Sequence, residues 1–315
     1  MNGPIPTKQL KDKDTYLPFP HTFAQWASHG KWVAYPWLKF LSMEIAKHLS
    51  QGGARLLITA PPQHGKSFFL STWLPTWYLN LNPDHRVILC SYAQQYAEKF
   101  GSAVRENLTH NERSAIGVRQ DTASKKRFAT IQGGGMITAG IGGPVTGEPA
   151  ELFIVDDPIK NFEDAMSPRK RETNMDWIRS VMNTRLQTGS SAIIMHTRWH
   201  ESDIIGELSQ QGERWTLINL PAIAEENDPM GRAIGEALCR ERFDEKDLAL
   251  KRTDVGELIW SALYQGSPVS MGGIIVKGDW IKFHDLDHTK MDELAIFADL
   301  TYEKGEENDF TVIEL

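Results

Sequence analysis

Gly65, Lys66 and Ser67 close the segment Ala60-Pro61-Pro62-Gln63-His64-Gly65-Lys66-Ser67. The apolar run 55–59 precedes this segment and the apolar run 68–74 follows it, so the order is strand, tight loop, helix. That context suits a phosphate-binding loop. Backbone N–H groups and the positive helix N-terminus cradle the β- and γ-phosphates of ATP, Lys66 brings a mobile charge to them, and the Ser67 hydroxyl ligates Mg²⁺. Ala60 stands where the standard pattern has its first glycine. A chance Gly-Lys-Ser in a turn is the competing reading, and a second segment weighs against it. Glu151 to Val155 reads as a buried parallel strand and ends on Asp156-Asp157-Pro158. Carboxylates at the C-terminal end of such a strand lie where ligands bind in open α/β sheets. Asp156 is placed to hold Mg²⁺, directly or through water, and Asp157 to orient the water that attacks the γ-phosphate. Many ATPases carry Glu at the second position, where this chain has the shorter Asp157.

A third segment, His196-Thr197-Arg198-Trp199-His200, follows the apolar run 191–195 and so falls on the same sheet edge. The Thr197 hydroxyl suits a sensor that bonds the attacking water or a phosphate oxygen and changes partner after hydrolysis. His196 and His200 have the spacing of zinc ligands on a helix, but they stand at a strand end with no third ligand nearby, which argues against a metal.

The elements that must position these groups alternate. The spacing predicts a helix within 26–49, a strand at 55–59, a helix at 66–80, a strand at 86–91 and a helix at 93–109. It then predicts a hairpin of 127–131 and 136–138 around Gly133 to Gly135, a glycine-rich loop at 140–147, and the Asp156 strand. A helix at 167–186 follows, capped by Ser167-Pro168, then the strand 191–195, a helix at 201–210 and a strand at 215–220. Alternation of this kind gives an α/β fold with a mostly parallel central sheet covered by helices. Phe19, Tyr35 and Trp37 could stack on an adenine ring, but core packing is the favoured reading.

The 315 residues are 41% hydrophobic and 24% charged, a globular composition with room for one large domain or two smaller ones. No apolar run approaches the ~20 residues that span a bilayer, and the N-terminus lacks the apolar core of a signal peptide. No membrane partner is therefore expected. Cys90 and Cys239 form no metal spacing and read as reduced thiols, which points to a cytosolic setting. Of the net charge of −7, residues 285–315 carry −8, ten acidic residues against Lys290 and Lys304, so the rest stands at about +1. Basic clusters at Lys125-Lys126-Arg127, Arg169-Lys170-Arg171 and Arg179 with Arg185 read first as solvated faces, and any DNA contact would be local or shared among subunits.

Pro61 to Ser67, Ile154 to Lys160, Asn183 to Leu186, and Ile194 to His200 with Asp203 and Gly206 together resemble the large terminase subunit of tailed phages and prophages. The resemblance covers residues 30–310. It implies a P-loop NTPase that drives double-stranded DNA through a portal protein into a procapsid, followed by an RNase H-like nuclease domain. By that resemblance Lys66 and Ser67 are the Walker A pair, Asp156 and Asp157 the Walker B pair, and Thr197 lies in the coupling motif. Double-stranded DNA, the portal protein and a small terminase subunit are the implied partners. The implied assembly is a homo-oligomeric ring formed from subunits that are monomers in isolation, in the host bacterial cytoplasm and transiently docked on the procapsid. Two positions depart from the family. Gln63 and His64 stand where many members have a loop arginine, and Thr146-Gly147-Glu148 stand where members often have an arginine acting in trans. Arg185, Arg198 and Arg127 are the candidate fingers.

The expected organisation is an N-terminal arm at 1–30, the ATPase domain at 31–263, a Gly/Ser/Pro-rich linker at 264–280, and the first hairpin of a truncated nuclease domain at 281–315. Strand 293–299 ends on Asp299, the position of a metal-binding Asp in the nuclease, and 309–315 pairs with it. Two-metal hydrolysis needs several carboxylates, so no nuclease activity is expected of this chain. The alternatives are a helicase-like P-loop translocase and a weakly active nucleotide-binding assembly scaffold.

Overall fold

A computed structural model describes residues 18–114, 116–145, 147–269, 297–299 and 312–314. The chain divides into two units at Pro268/Val269. In the first, eight strands run β1 Arg55–Thr59, β2 Arg86–Ser91, β3 Val118–Ala123, β4 Arg127–Thr130, β5 Gly135–Gly140, β6 Ala150–Asp156, β7 Leu186–Met195 and β8 Thr216–Asn219. They lie in the order β3-β4-β5-β2-β6-β7-β1-β8. From β5 to β8 every neighbouring pair is parallel, while β4 pairs antiparallel with both β5 and β3. The C-terminal ends of β1, β6 and β7 therefore open on one edge, with β7 between the other two.

The parallel strands are apolar because both sheet faces are covered. Side chains alternate between the faces. Leu56, Ile58, Val87, Leu89, Leu152, Ile154, Ile193 and Met195 join one cluster with Trp37, Leu41 and Phe69. Leu57, Ile88, Phe153, Val155, Ala192 and Ile194 join the other with Met175, Ile178 and Ile205. Cys90 sits in this second cluster as a free, buried thiol, and burial pushes its pKa up.

The helix after the loop is continuous from Lys66 to Leu81 but passes through a π turn at Phe69–Trp73. The helix expected at 167–186 runs Pro168–Trp177, a π turn Ile178–Met182 and Asn183–Arg185, and Ser167 caps it by accepting from Lys170 N. The 127–131/136–138 hairpin is present as β4 and β5.

Several boundaries differ from the sequence reading. Helix Pro20–Ala27 lies inside the stretch read as an arm, and its Phe23, Ala24 and Ala27 are buried in the first cluster; residues 1–17 of that arm lie outside the described residues. Strand β3 was not foreseen, because on this edge strand the side chains Arg119, Gln120 and Asp121 are all exposed and leave no apolar alternation to read. Helix Glu245–Ile259 was also missed, although Asp244 and Asp247 form a capping box that the sequence displays. The stretch read as a linker begins too early. A π turn runs Trp260–Tyr264, Tyr264 and Gln265 are buried, and Gln265 Nε2 donates to Ile223 O at 3.0 Å. Residues 270–280 of that linker lie outside the described residues.

In the second unit, β9 Phe297–Asp299 pairs antiparallel with β10 Val312–Glu314, with Asp299 opposite Val312, the pairing expected of the hairpin.

Candidate active site

The loop after β1 adopts the backbone a concave phosphate cradle needs. Gln63 and Gly65 both have positive φ, at 63° and 89°, and Gly65 is the N-cap residue of the following helix. His64 between them is fully buried. Its Nδ1 lies 2.8 Å from Pro62 O and its ring packs 5.2 Å from Phe243 and 6.4 Å from Trp37, centroid to centroid. Burial, and then the nearby Arg242 and Lys66 charges, lower its pKa to about 4, so the folded loop holds a neutral imidazole. The sign follows. The unfolded chain takes up a proton near pH 6.5 and the folded chain resists until about 4, so this stability is complete above 6.5 and is lost as pH falls through that window. The expected loss is on the order of 2–3 kcal/mol by pH 4. His196, buried and shifted in the same direction, adds to it. H64Q should show a flatter fall in melting temperature between pH 7 and 4.5 than wild type, and identical slopes would contradict the argument.

Lys66 is buried where β1, β6 and β7 end. Its Nζ donates to Thr197 Oγ1 and sits 3.4 Å from Asp157 Oδ1. Thr197 N also donates to Asp157 Oδ1, at 3.3 Å. The loop lysine, the second β6 carboxylate and the threonine after β7 thus form one connected group. Asp157 takes φ 44°, a left-handed conformation that Asp tolerates, and its backbone is held on both sides. Its N donates to Met195 O at 2.9 Å and its O accepts from Tyr92 N at 3.1 Å.

Asp156 is completely buried and held from the helix opposite. Ser67 Oγ donates to Oδ1 at 3.2 Å and Ser71 Oγ to Oδ2 at 2.6 Å. Serines four residues apart on a helix share a face, which is the local signal that could have identified Ser71. Burial, then the Asp157 charge, push the Asp156 carboxyl up to about 7 against the opposing pull of Ser71, Lys66 and Ser67. Tyr96, also unforeseen, lies near the site, and burial, then the Asp156 and Asp157 charges, raise its phenol.

The segment after β7 is a fixed turn. Asp203 accepts from Arg198 Nε at 2.8 Å, Trp199 N at 3.2 Å and Gly206 N at 3.0 Å, capping helix Ile204–Ser209. Gly206 is required there, because a Cβ would stand 1.7 Å from Glu201 O. His196 Nδ1 faces Thr197 O, and Ser202 N donates to His200 Nδ1. Among the described residues no three His, Cys, Asp or Glu side chains gather as a metal centre.

The other residues singled out in the sequence fall elsewhere. Trp37 is fully buried, and Phe19 and Tyr35 pack on the same core cluster, as favoured over base stacking. Arg198 is buried and bonded within its own turn. Arg127 pairs with Glu148 at 2.5 Å, and Glu148 also faces Arg86 at 3.6 Å. Arg185 precedes β7 and so stands at the sheet edge opposite the site. Arg171 of the second basic cluster is turned inward and donates to Ala165 O at 2.8 Å. Thr146 lies outside the described residues.

A parallel sheet with a glycine-lysine-serine loop after one strand and paired carboxylates after another defines a P-loop NTPase fold. The profile of the family "Terminase large subunit, T4likevirus-type, N-terminal" matches residues 57–283, and the chain belongs to that family. Among solved structures it is similar to the large terminase of bacteriophage HK97, with 10% identity, TM-score 0.48, and coverage of 71% of this chain and 49% of that one. It is also similar to the large terminase ATPase domain of Thermus phage P74-26, with 16% identity, TM-score 0.45, and coverage of 72% and 93%. The chain thus spans about half the length of the HK97 protein. No curated protein gives a significant match.

Proposed function

We propose that this chain is the ATP-hydrolysing motor subunit of a viral terminase, which moves double-stranded DNA into a procapsid. The observation that carries the reading is the joined group Lys66, Thr197 and Asp157 beside the Ser67–Asp156 pair. Ser67 Oγ and Asp156 Oδ1, 3.2 Å apart, are hard oxygen donors of the kind Mg²⁺ takes beside phosphates. An Mg²⁺ held there would neutralise charge building on the transferring phosphoryl group. The remaining work falls to the chain. The residue 60–67 loop presents its backbone amides to the phosphates. Lys66 leaves Thr197 and Asp157 for the β- and γ-phosphates. Asp157, relieved of that ion pair, orients the attacking water, with Thr197 N still holding its Oδ1. The Thr197 hydroxyl, released by Lys66, reports the change to the Arg198–Asp203 turn and to helix Ile204–Ser209, which Asp203 caps.

The same reading places the subunit in a ring on the portal protein in the host cytoplasm, working with a small terminase subunit. An arginine from a neighbouring subunit would raise the rate by large factors, so an isolated chain should be slow. The test is steady-state hydrolysis with and without linear duplex DNA, beside K66A. Wild type should turn over slowly and faster with DNA, and K66A should lose at least about 10²-fold. Equal rates in the two proteins would refute the reading.

A further inference from the structure

The electrostatics of the loop are incomplete without a group that lies far from it in sequence. Lys66 is already paired with Asp157, so the loop itself holds no further side-chain cation for the triphosphate of ATP, and an Mg²⁺ at Ser67 and Asp156 would offset only part of its charge. Arg242 supplies such a cation. Its Nη1 lies 3.5 Å from the position a Cβ would take on Gly65, the residue that caps the loop's helix. Its side chain is exposed, and the guanidinium makes no ion pair or hydrogen bond that would have to be broken among the described residues.

The turn that carries Arg242 is anchored to the loop. Arg242 N and Phe243 N both donate to Cys239 O, at 3.0 and 2.9 Å. The Phe243 ring rests on His64 at 5.2 Å, and Lys251 Nζ covers that ring at 4.6 Å. Arg240, two residues earlier, is bound to Glu245 at 2.6 Å and faces Glu236 at 3.8 Å, so its own guanidinium is already committed. A long cationic side chain is therefore carried on a packed platform beside Gly65, with its fork unspent. Guanidinium forks match phosphate oxygens with two parallel hydrogen bonds.

We propose that Arg242 is a phosphate-contacting residue of this chain's own nucleotide site, closing on the nucleotide's phosphates at the Gly65 side of the loop. The inference rests on the nucleotide-site reading above and assigns it a residue from beyond β8. Gly65 and Lys66 belong to the part of the loop that wraps the β-phosphate, so Arg242 should serve ADP and ATP alike.

The test is titration of the full chain with Mg-ATP and with Mg-ADP, alongside nucleotide-induced shifts in melting temperature, for wild type, R242A, R242K and R240A. R242A should bind both nucleotides roughly 10- to 100-fold more weakly. R242K should recover only part, since the charge returns without the fork, and R240A should match wild type. Without nucleotide, the R242A melting temperature should equal that of wild type, because the side chain is exposed and unbonded. Nucleotide affinity of R242A within about twofold of wild type, or the same loss in R240A, would overturn the role of Arg242. Absence of any nucleotide-induced stabilisation in wild type would overturn the site reading itself and the inference with it.

Discussion

D157N should stop ATP turnover while leaving ATP bound. The substitution keeps the side chain's shape but removes the charge that faces Lys66 at 3.4 Å and the anionic oxygen that accepts from Thr197 N at 3.3 Å. A carboxylate that orients or deprotonates the attacking water contributes about 10²–10⁴-fold, and the expected fall lies in that range. Binding should hold or tighten, since a negative charge beside the triphosphate is gone. Single-turnover hydrolysis and an ATP titration on the same protein separate the two effects. Turnover within tenfold of wild type, or binding lost together with turnover, would remove Asp157 from the water-orienting role.

D203A should be the most destabilising of the substitutions considered. The buried carboxylate accepts from Arg198 Nε, Trp199 N and Gly206 N, and its loss leaves the Arg198 guanidinium buried with, among the described residues, the His200 and Glu201 carbonyls as its remaining acceptors. Breaking a buried pair by removing one partner costs about 3–5 kcal/mol, and loss of the helix cap adds about 1 kcal/mol. In a domain of this size the melting temperature should fall by about 10 °C or more. The double variant R198M/D203A should recover part of that, because no buried charge is then left unpaired. A single-variant cost below about 1 kcal/mol would show that the turn is not held as described. The effect reaches function through Thr197, which precedes Arg198 in the same turn.

These two carboxylates differ in how legible they were. Asp157 could be found from sequence because a strand buried on both faces reads as an unbroken apolar run, so the first charges after it mark the sheet's open edge. The loop at 60–67 and the Thr197 segment were legible for the same reason, each following such a run. What Asp203 does was not, since its work lies in bonds to Arg198 and Gly206 that only the folded turn creates. Arg198 illustrates the cost. As a sequence it offered a free arginine after a strand, whereas in the fold its guanidinium is committed to Asp203. Arg242 left no local trace at all, because its place beside Gly65 depends on Phe243 packing against a histidine nearly 180 residues away in the chain. Helix Pro20–Ala27 was hidden by the proline-rich, polar stretch before it, and β3 by its exposed polar side chains.

The central claim is that Lys66, Ser67, Asp156, Asp157 and Thr197 together make a Mg-ATP site. Calorimetric titration of Mg-ATP into the chain and into K66A tests it most directly. The account predicts saturable binding of a single equivalent by wild type, dependent on Mg²⁺, and affinity at least about 10²-fold weaker once the buried lysine is removed. Equal affinity in the two proteins, or no binding by wild type, would contradict it.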